Sequence, residues 1–372
     1  MSDRSGIRSK KRWVVKVGSA LLTNDGQGLH RQTIVQLAEQ IAFLRDNDVE
    51  VILVSSGSVA AGVSQLGLSE RPERIFELQA AAAVGQASLV RHYEQAFQPF
   101  AIHTAQVLLT HADIANRERY LNARNTLLRL LKLDVLTVVN ENDSVATDEI
   151  CFGDNDSLGS LVANLVDADL LVILTDQNGL YTADPRSNPD AQLLQEVSAD
   201  DESLMKMATG GTSLGRGGMV TKLSAAQIAS RSGASTIIAS GREEKILQRL
   251  FNGEVLGTLL TARQRLASKK QWMAGQMKIA GKLVVDDGAA KMLRQSGKSL
   301  LPVGVLGVEG SFLRGELLSC VDLAGNEIAR GLSNYNAGDS ELIMGKASTE
   351  IRSILPYALD DELIHRDNLV LL

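Results

Sequence analysis

Short apolar runs alternate along the chain with longer stretches in which apolar residues recur every three or four positions. Trp13–Val17, Val49–Val54, Val135–Val139 and Leu170–Leu174 are runs dominated by β-branched residues and leucine, the texture of strands buried on both faces of a parallel sheet. Between them, His30–Asn47 places Ile34, Leu37, Ile41 and Leu44 on one helical face. The same period predicts helices over 74–98, Glu118–Lys132, Ser157–Val166, Met219–Arg231 and Glu243–Phe251. Further strands are predicted at Ala101–Leu109 and Thr236–Ala239, and a loop over Gly18–Gly28. Strands alternating with crossover helices give an α/β architecture, a mostly parallel sheet covered by helices on both faces. Beyond residue 263 the texture changes. Lys282–Val285, Val303–Val308, Glu316–Val321 and Glu327–Gly331 are short strand-like runs punctuated by glycine, which predict a small barrel-like β domain. The boundary falls near residues 263–280.

Composition narrows the function classes. A chain of 372 residues suggests two domains, and 44% hydrophobic with 22% charged residues excludes disorder as the dominant state. The longest apolar runs fall far short of the roughly 20 residues of a spanning helix, so no membrane partner is expected. Cys151 and Cys320 form no CxxC pair, which leaves no zinc knuckle or disulfide framework and makes a reducing, cytoplasmic location the default. The net charge of −6 is unevenly distributed. Arg4, Arg8, Lys10, Lys11 and Arg12 make the start basic, acids dominate 13–262, and Arg263, Arg265, Lys269 and Lys270 form a second basic stretch. Neither large block is basic, so RNA binding through bulk positive charge is not expected. The basic start reads as a solvated, mobile extension.

Common nucleotide motifs are missing. Gly297-Lys298-Ser299 has the ending of a P-loop, but Met292 stands where its first glycine is required. No GxGxxG follows the first strand, no GxSxG occurs, and the five histidines lack zinc-ligand spacing. Polar clusters do sit where ligands bind in open α/β sheets, at the carboxyl ends of strands. Lys16 ends the first strand beside Gly18, either aimed into the crevice or at a solvent-facing strand edge. Gly215-Arg216-Gly217-Gly218 opens a helix whose free N–H groups suit a phosphate, with Lys222 one turn in; the bland reading is a flexible surface loop. Asn140–Asp143 and Gly153–Asp156 supply acids and amides for an ammonium or a lysine, although Asp156 is equally suited to cap the helix that follows. Ser55-Ser56-Gly57 offers donors for a carboxylate.

The strings VVKVGS, VSSGSVAAG, VNENDSVAT, FGDNDSLGSLVA, LTDQNGLYTADPRSNP and GRGGMVTK, in this order, resemble the amino acid kinase family, and within it the glutamate 5-kinases that carry a C-terminal PUA domain. The resemblance runs through residues 12–372. It implies a three-layer αβα sandwich over 12–262, a basic linker over 263–280, a PUA domain over 281–361 and a tail over 362–372, with 1–11 as an extension. The implied reaction moves the γ-phosphoryl group of ATP, with Mg²⁺ on its phosphates, to the side-chain carboxylate of L-glutamate, the first step toward proline. Carried onto matching positions, the resemblance makes Lys16 and Lys222 the phosphoryl-stabilising lysines, with Asp156 orienting them. Ser56, Asp143 and Asn155 then bind glutamate. Lys16, Thr175, Asp176 and the run Arg216, Gly217, Gly218, Met219, Val220, Thr221 and Lys222 bind ATP. Arg216 departs from the pattern, which usually has a threonine there. Feedback inhibition by proline, a homo-oligomeric state (dimer or tetramer) and handover of the labile product to glutamate-5-semialdehyde dehydrogenase are also implied. Alternatives are another carboxylate acceptor, or an RNA-binding protein acting through the PUA domain. The chemistry fits the residues. A carboxylate with an ordinary pKa near 4.3 is already a nucleophile at neutral pH, so no general base is needed.

Overall fold

A computed structural model describes residues 3–23, 28–146, 155–183, 185, 188–209, 218–262, 279–296, 298–358 and 360–371. The chain divides into two compact units, Met1–Ile114 with Ala123–Arg265, and Ala115–Asn122 with Leu266–Leu372.

Among the described residues the first unit holds an eight-stranded sheet. Its strands are β1 (Arg12–Val17), β2 (Glu50–Val54), β3 (Thr104–Leu109), β4 (Leu136–Glu141), β5 (Leu170–Thr175), β6 (Glu196–Ser198), β7 (Ser235–Ser240) and β8 (Thr258–Thr261). They lie in the order β3-β4-β2-β1-β5-β7-β8-β6, with only the β7–β8 pair antiparallel. The chain places β2, β3 and β4 on one side of β1, β4 filling the place between β2 and β3, and then returns to build on the other side, so the topological switch lies between β1 and β5. Neighbouring strands β4, β2, β1 and β5 bring Asn140, Ser55-Ser56, Lys16 and Thr175 to one edge of the sheet, although they are far apart in sequence.

The α-helices up to residue 265 are α1 (Ser19–Leu22), α2 (Arg31–Asp46), α3 (Ser58–Gln65), α4 (Ile75–Phe97), α5 (His111–Ala115), α6 (Arg117–Lys132, whose first turns belong to the second unit), α7 (Asp156–Leu165), α8 (Glu202–Thr209), α9 (Met219–Ser230) and α10 (Ile246–Phe251), among the described residues. The period-2 alternation of β1 sorts its side chains. Trp13, Val15 and Val17 join Ile34, Leu37 and Ile41 of α2, Tyr93 and Phe97 of α4 and Leu247 and Leu250 of α10 in one core. Lys16 has the opposite parity and lies against α7, where Gly159 leaves room for its stem. A Cβ at 159 would stand 3.3 Å from the Cβ of Lys16.

Helices α3 and α4 cross at near backbone contact. A Cβ on Gly85 would lie 1.9 Å from the carbonyl oxygen of Ser58, and one on Gly62 would lie 1.7 Å from that of Ala81. Neither backbone can yield without moving its helix. Gly85→Ala is therefore expected to destabilise the protein by about 3 kcal/mol, the upper end of ordinary overpacking, and a urea titration checks this.

The observed elements match most of the predicted ones, with differences at turns. The third strand begins at Thr104 because Gln98–Phe100 forms a 3₁₀ turn ending on left-handed Ala101, with φ 54°. The last helix of the unit begins at Ile246, after Lys245 takes φ 54°. The predicted loop Gly18–Gly28 contains the one-turn helix α1, and β6, β8 and α8 were not anticipated.

The basic start corrects the expectation of a solvated, mobile extension. Asp3–Ser9 is a 3₁₀ helix. Ile7 is fully buried, and the guanidinium of Arg4 donates to the carbonyls of Gln195 (2.7 Å), Gly257 (2.8 Å) and Leu256 (2.9 Å). The Asp169 carboxylate accepts the backbone N–H groups of Lys11 and Arg12 at 2.9 Å, and Arg12 pairs with Glu50 at 2.6 Å. Charge counting misread this segment because backbone carbonyls, invisible in a net charge, are the partners of Arg4.

In the second unit, strands β9 (Gly281–Val285), β10 (Val305–Gly310), β11 (Leu317–Val321), β12 (Glu327–Leu332) and β13 (Leu369–Leu371) form a sheet in the order β10-β9-β11-β12-β13. The β9–β11 pair is parallel and the others antiparallel. Helices α11 (Asp287–Ser296), α12 (Ala337–Ile343) and α13 (Ser348–Ile354), unforeseen in the sequence, bring Leu293, Ile343 and Ile351 into a core with Leu283, Leu318 and Ile328. Cys320 lies in that core, and burial with the nearby Glu327 charge pushes its thiol up to about 12, so it is a packing residue rather than a nucleophile. Cys151 lies outside the described residues. No described helix is long and apolar enough to cross a membrane.

Candidate active site

Three elements converge on one carboxylate. Strand β1 delivers Lys16, α7 opens on Asp156, and α9 carries Lys222 one turn from its start at Met219. The Lys16 ammonium donates to Oδ1 of Asp156 at 2.5 Å, and the Lys222 ammonium donates to Oδ2 at 3.0 Å. The Thr221 hydroxyl lies 3.1 Å from the same Oδ2 and 2.8 Å from the Gly218 carbonyl. All three charged residues are buried, Asp156 completely. Burial alone would push the Asp156 carboxyl up. The charges and hydrogen bonds of Lys16 and Lys222 outweigh it and hold the carboxyl well below the usual range. Lys16 thus lies at its strand end, paired with Asp156 rather than on a solvent-facing strand edge, and Lys222 lies one turn into its helix. The capping alternative for Asp156 gives way. Asn155 is the N-cap residue, and both Asp156 oxygens are taken by lysines.

The triad carries one net positive charge in a buried place. An uncompensated buried charge is costly, and a bound anion relieves it. The anion-facing character extends to the start of α9, whose N-cap Gly218 has no side chain to occupy the first N–H groups.

Beside the triad, at the ends of β2 and β4, lies a cluster of polar side chains. Gly57, with φ 95°, turns the chain from β2 into α3. The Ser56 hydroxyl is buried and has no hydrogen-bond partner among the described residues. Asp143 accepts the Ser58 hydroxyl at 2.5 Å. The Asn155 amide donates to the Ser55 carbonyl at 2.5 Å and to Oδ1 of Asn140 at 2.8 Å, while Asn140 donates to Oε1 of Gln86 at 2.8 Å. Ser55 and Tyr93 share a hydroxyl contact of 2.8 Å. At the end of β5 the Thr175 hydroxyl donates to Asp176 at 3.1 Å, and no hydrogen bond links this pair to the triad among the described residues. Gly218, Met219, Val220 and Thr221 open α9 as expected, whereas Arg216 and Gly217, with Gly153 and Asp154, lie outside the described residues. Separately, a cavity of about 400 Å³ opens among α1, α2 and residues 241–246; Lys16, Asp156 and Lys222 do not line it.

Sequence reasoning placed Asn140 in a cluster suited to an ammonium or a lysine without singling it out, and overlooked Ser58, Gln86 and Tyr93. Gln86 and Tyr93 are seven positions apart on α4. A polar residue inside the run Ala80–Ala87 was the available signal.

Residues 11–240 match the model of the amino acid kinase family, and residues 281–355 match that of the PUA domain. The chain belongs to the amino acid kinase family. This kinase is 58% identical over 370 residues to a glutamate 5-kinase of Paraburkholderia phymatum, covering 99% of this chain and 100% of the relative. A glutamate 5-kinase of Nitrosococcus oceani is 58% identical over 373 residues, with full coverage of both chains. Among solved structures, the carbamate kinase of Giardia lamblia shares the fold at a TM-score of 0.51 and 19% identity, covering 69% of this chain and 100% of that one.

Proposed function

We infer that this kinase transfers the γ-phosphoryl group of ATP to the side-chain carboxylate of L-glutamate, giving L-glutamyl 5-phosphate and ADP, the first step toward proline. The observation that carries the chemistry is the buried Lys16–Asp156–Lys222 triad with its surplus positive charge. Phosphoryl transfer needs positioning and charge neutralisation more than covalent catalysis. Lys16 and Lys222, each tethered to a different oxygen of Asp156, are spaced to follow charge on the phosphoryl oxygens as the bond to ADP breaks and the bond to glutamate forms. The first turn of α9 and the end of β5, with Thr175 and Asp176, hold the nucleotide. Ser56 supplies a hydroxyl to a substrate carboxylate, and Asp143 and Asn155 face the ammonium.

Mg²⁺ enters with ATP as part of the substrate. Among the described residues no group of three or more acidic, histidine or cysteine side chains is arranged to hold a metal, and both Asp156 oxygens are committed to lysines. ATP phosphates and water supply most of its ligands, as is usual where Mg²⁺ arrives with a nucleotide.

Purified protein with ATP, Mg²⁺ and L-glutamate is expected to form an acyl phosphate that hydroxylamine traps as a coloured hydroxamate. Aspartate and N-acetylglutamate are expected to give little. No hydroxamate and no ADP above the enzyme-free control would overturn the reading, and preference for another acceptor would reassign the substrate. In the same assay proline is expected to compete with glutamate.

A further inference from the structure

The side-chain amides of Asn155, Asn140 and Gln86 form a chain whose direction is set by backbone groups at one end. A side-chain amide has two N–H hydrogens and one acceptor oxygen. Both hydrogens of Asn155 are spent, one on the Ser55 carbonyl and one on Oδ1 of Asn140. That Oδ1 also accepts the backbone N–H of Glu141 at 3.0 Å, a donor that cannot be exchanged for an acceptor. The nitrogen of Asn140 must therefore face α4, where Oε1 of Gln86 accepts it at 2.8 Å. The outcome is that Asn155 offers its ligand only a carbonyl oxygen, an acceptor. Gln86 itself ends the chain with a buried Nε2 that has no partner among the described residues. An unpaired buried donor is a penalty that Met or Leu would not carry, so packing alone does not account for a glutamine here.

We propose that Gln86 is a positioning residue that anchors the Asn140 amide in the orientation the Glu141 N–H dictates, and so holds Asn155 with its oxygen toward a substrate bearing an ammonium group. The proposal deepens the reading of glutamate as acceptor substrate and rests on it. Gln86 touches no reacting atom; it acts through Asn140.

The test is Gln86→Met with steady-state kinetics. Its KM for glutamate is expected to rise roughly 3- to 10-fold, the weight of one net hydrogen bond, while kcat and KM for ATP stay within about twofold. Thermal stability should hold, because the variant trades the unpaired nitrogen of Gln86 for that of Asn140. Gln86→Glu, protonated when buried, keeps the acceptor and should restore KM for glutamate to within about twofold of the parent. Glutarate, the same diacid without the ammonium, supplies the control: its inhibition constant should not change in Gln86→Met. An unchanged KM for glutamate, a parallel rise for glutarate, or a joint fall of kcat, ATP affinity and stability would overturn the proposal. Any of these in a protein whose parent forms the hydroxamate removes the role of Gln86 alone, whereas a parent without hydroxamate removes the functional reading first.

Discussion

Replacing Lys222 by methionine is expected to lower kcat about a thousandfold while moving the thermal midpoint by no more than about 3 °C. The asymmetry follows from the geometry. The ammonium of Lys222 lies 3.0 Å from one oxygen of Asp156, and Lys16 lies 2.5 Å from the other. Without Lys222 the carboxylate remains paired with Lys16 and still has the Thr221 hydroxyl within 3.1 Å, so no lone buried charge is left. Methionine also fills most of the volume of the lysine stem, so α9 keeps its packing. The surplus positive charge disappears, and with it the attraction for the anion whose charge spreads in the transition state. Loss of one preorganised donor to developing charge costs about 10²–10³ in rate, and loss of a full charge belongs at the upper end. Single-turnover measurement of ADP formation beside a melting curve is the check. Turnover within tenfold of the parent would remove Lys222 from the chemistry. Lys222→Arg should recover only part of the rate, because a planar guanidinium does not reproduce a point charge that can follow the moving group.

The same triad shows how far the sequence was legible. Strands buried on both faces leave a plain trace, so the four apolar runs at the core of the sheet could be read directly, and their polar ends marked the crevice. β6 and β8 left no trace because three or four residues carry no period. The helices of the second unit were hidden by the glycines and short strands that dominate its texture. At the site, each lysine taken alone had a bland reading. What decides between readings is the sharing of one carboxylate by residues 16, 156 and 222, and no local pattern encodes a separation of that length. The motif resemblance supplied the grouping, and the strand order β2-β1-β5 supplies its physical cause. Arg4 is the converse case. Its guanidinium donates to backbone carbonyls of residues 195, 256 and 257, which have no sequence signature at all.

Asp156→Asn is expected to lose activity with Lys222→Met but, unlike it, to destabilise the fold by about 3–5 kcal/mol. The substitution keeps the shape of the side chain and removes the one charge among the described residues that pairs with the two buried ammonium groups, and stranding a buried charge has that magnitude. Acid should reveal the cause. The lysines hold the Asp156 carboxyl well below its usual value when folded. A carboxyl with a depressed folded pKa binds protons more readily when unfolded, so its contribution is complete above the unfolded pKa near 3.9 and drains away as the pH falls below it. The gap in urea stability between the parent and Asp156→Asn should therefore be flat from pH 7 to 5 and narrow by about 1 kcal/mol by pH 3. A gap that stays constant through pH 3 would mean that the carboxylate is not held by its lysines in solution. Added phosphate supplies the complementary arm. The variant leaves two ammonium groups facing each other, an anion binding between them favours only the folded state, and its midpoint should rise with phosphate more steeply than that of the parent. If phosphate raises both midpoints equally, the two ammonium groups do not face a common anion site, and the assignment of Lys16 and Lys222 to one phosphoryl group falls.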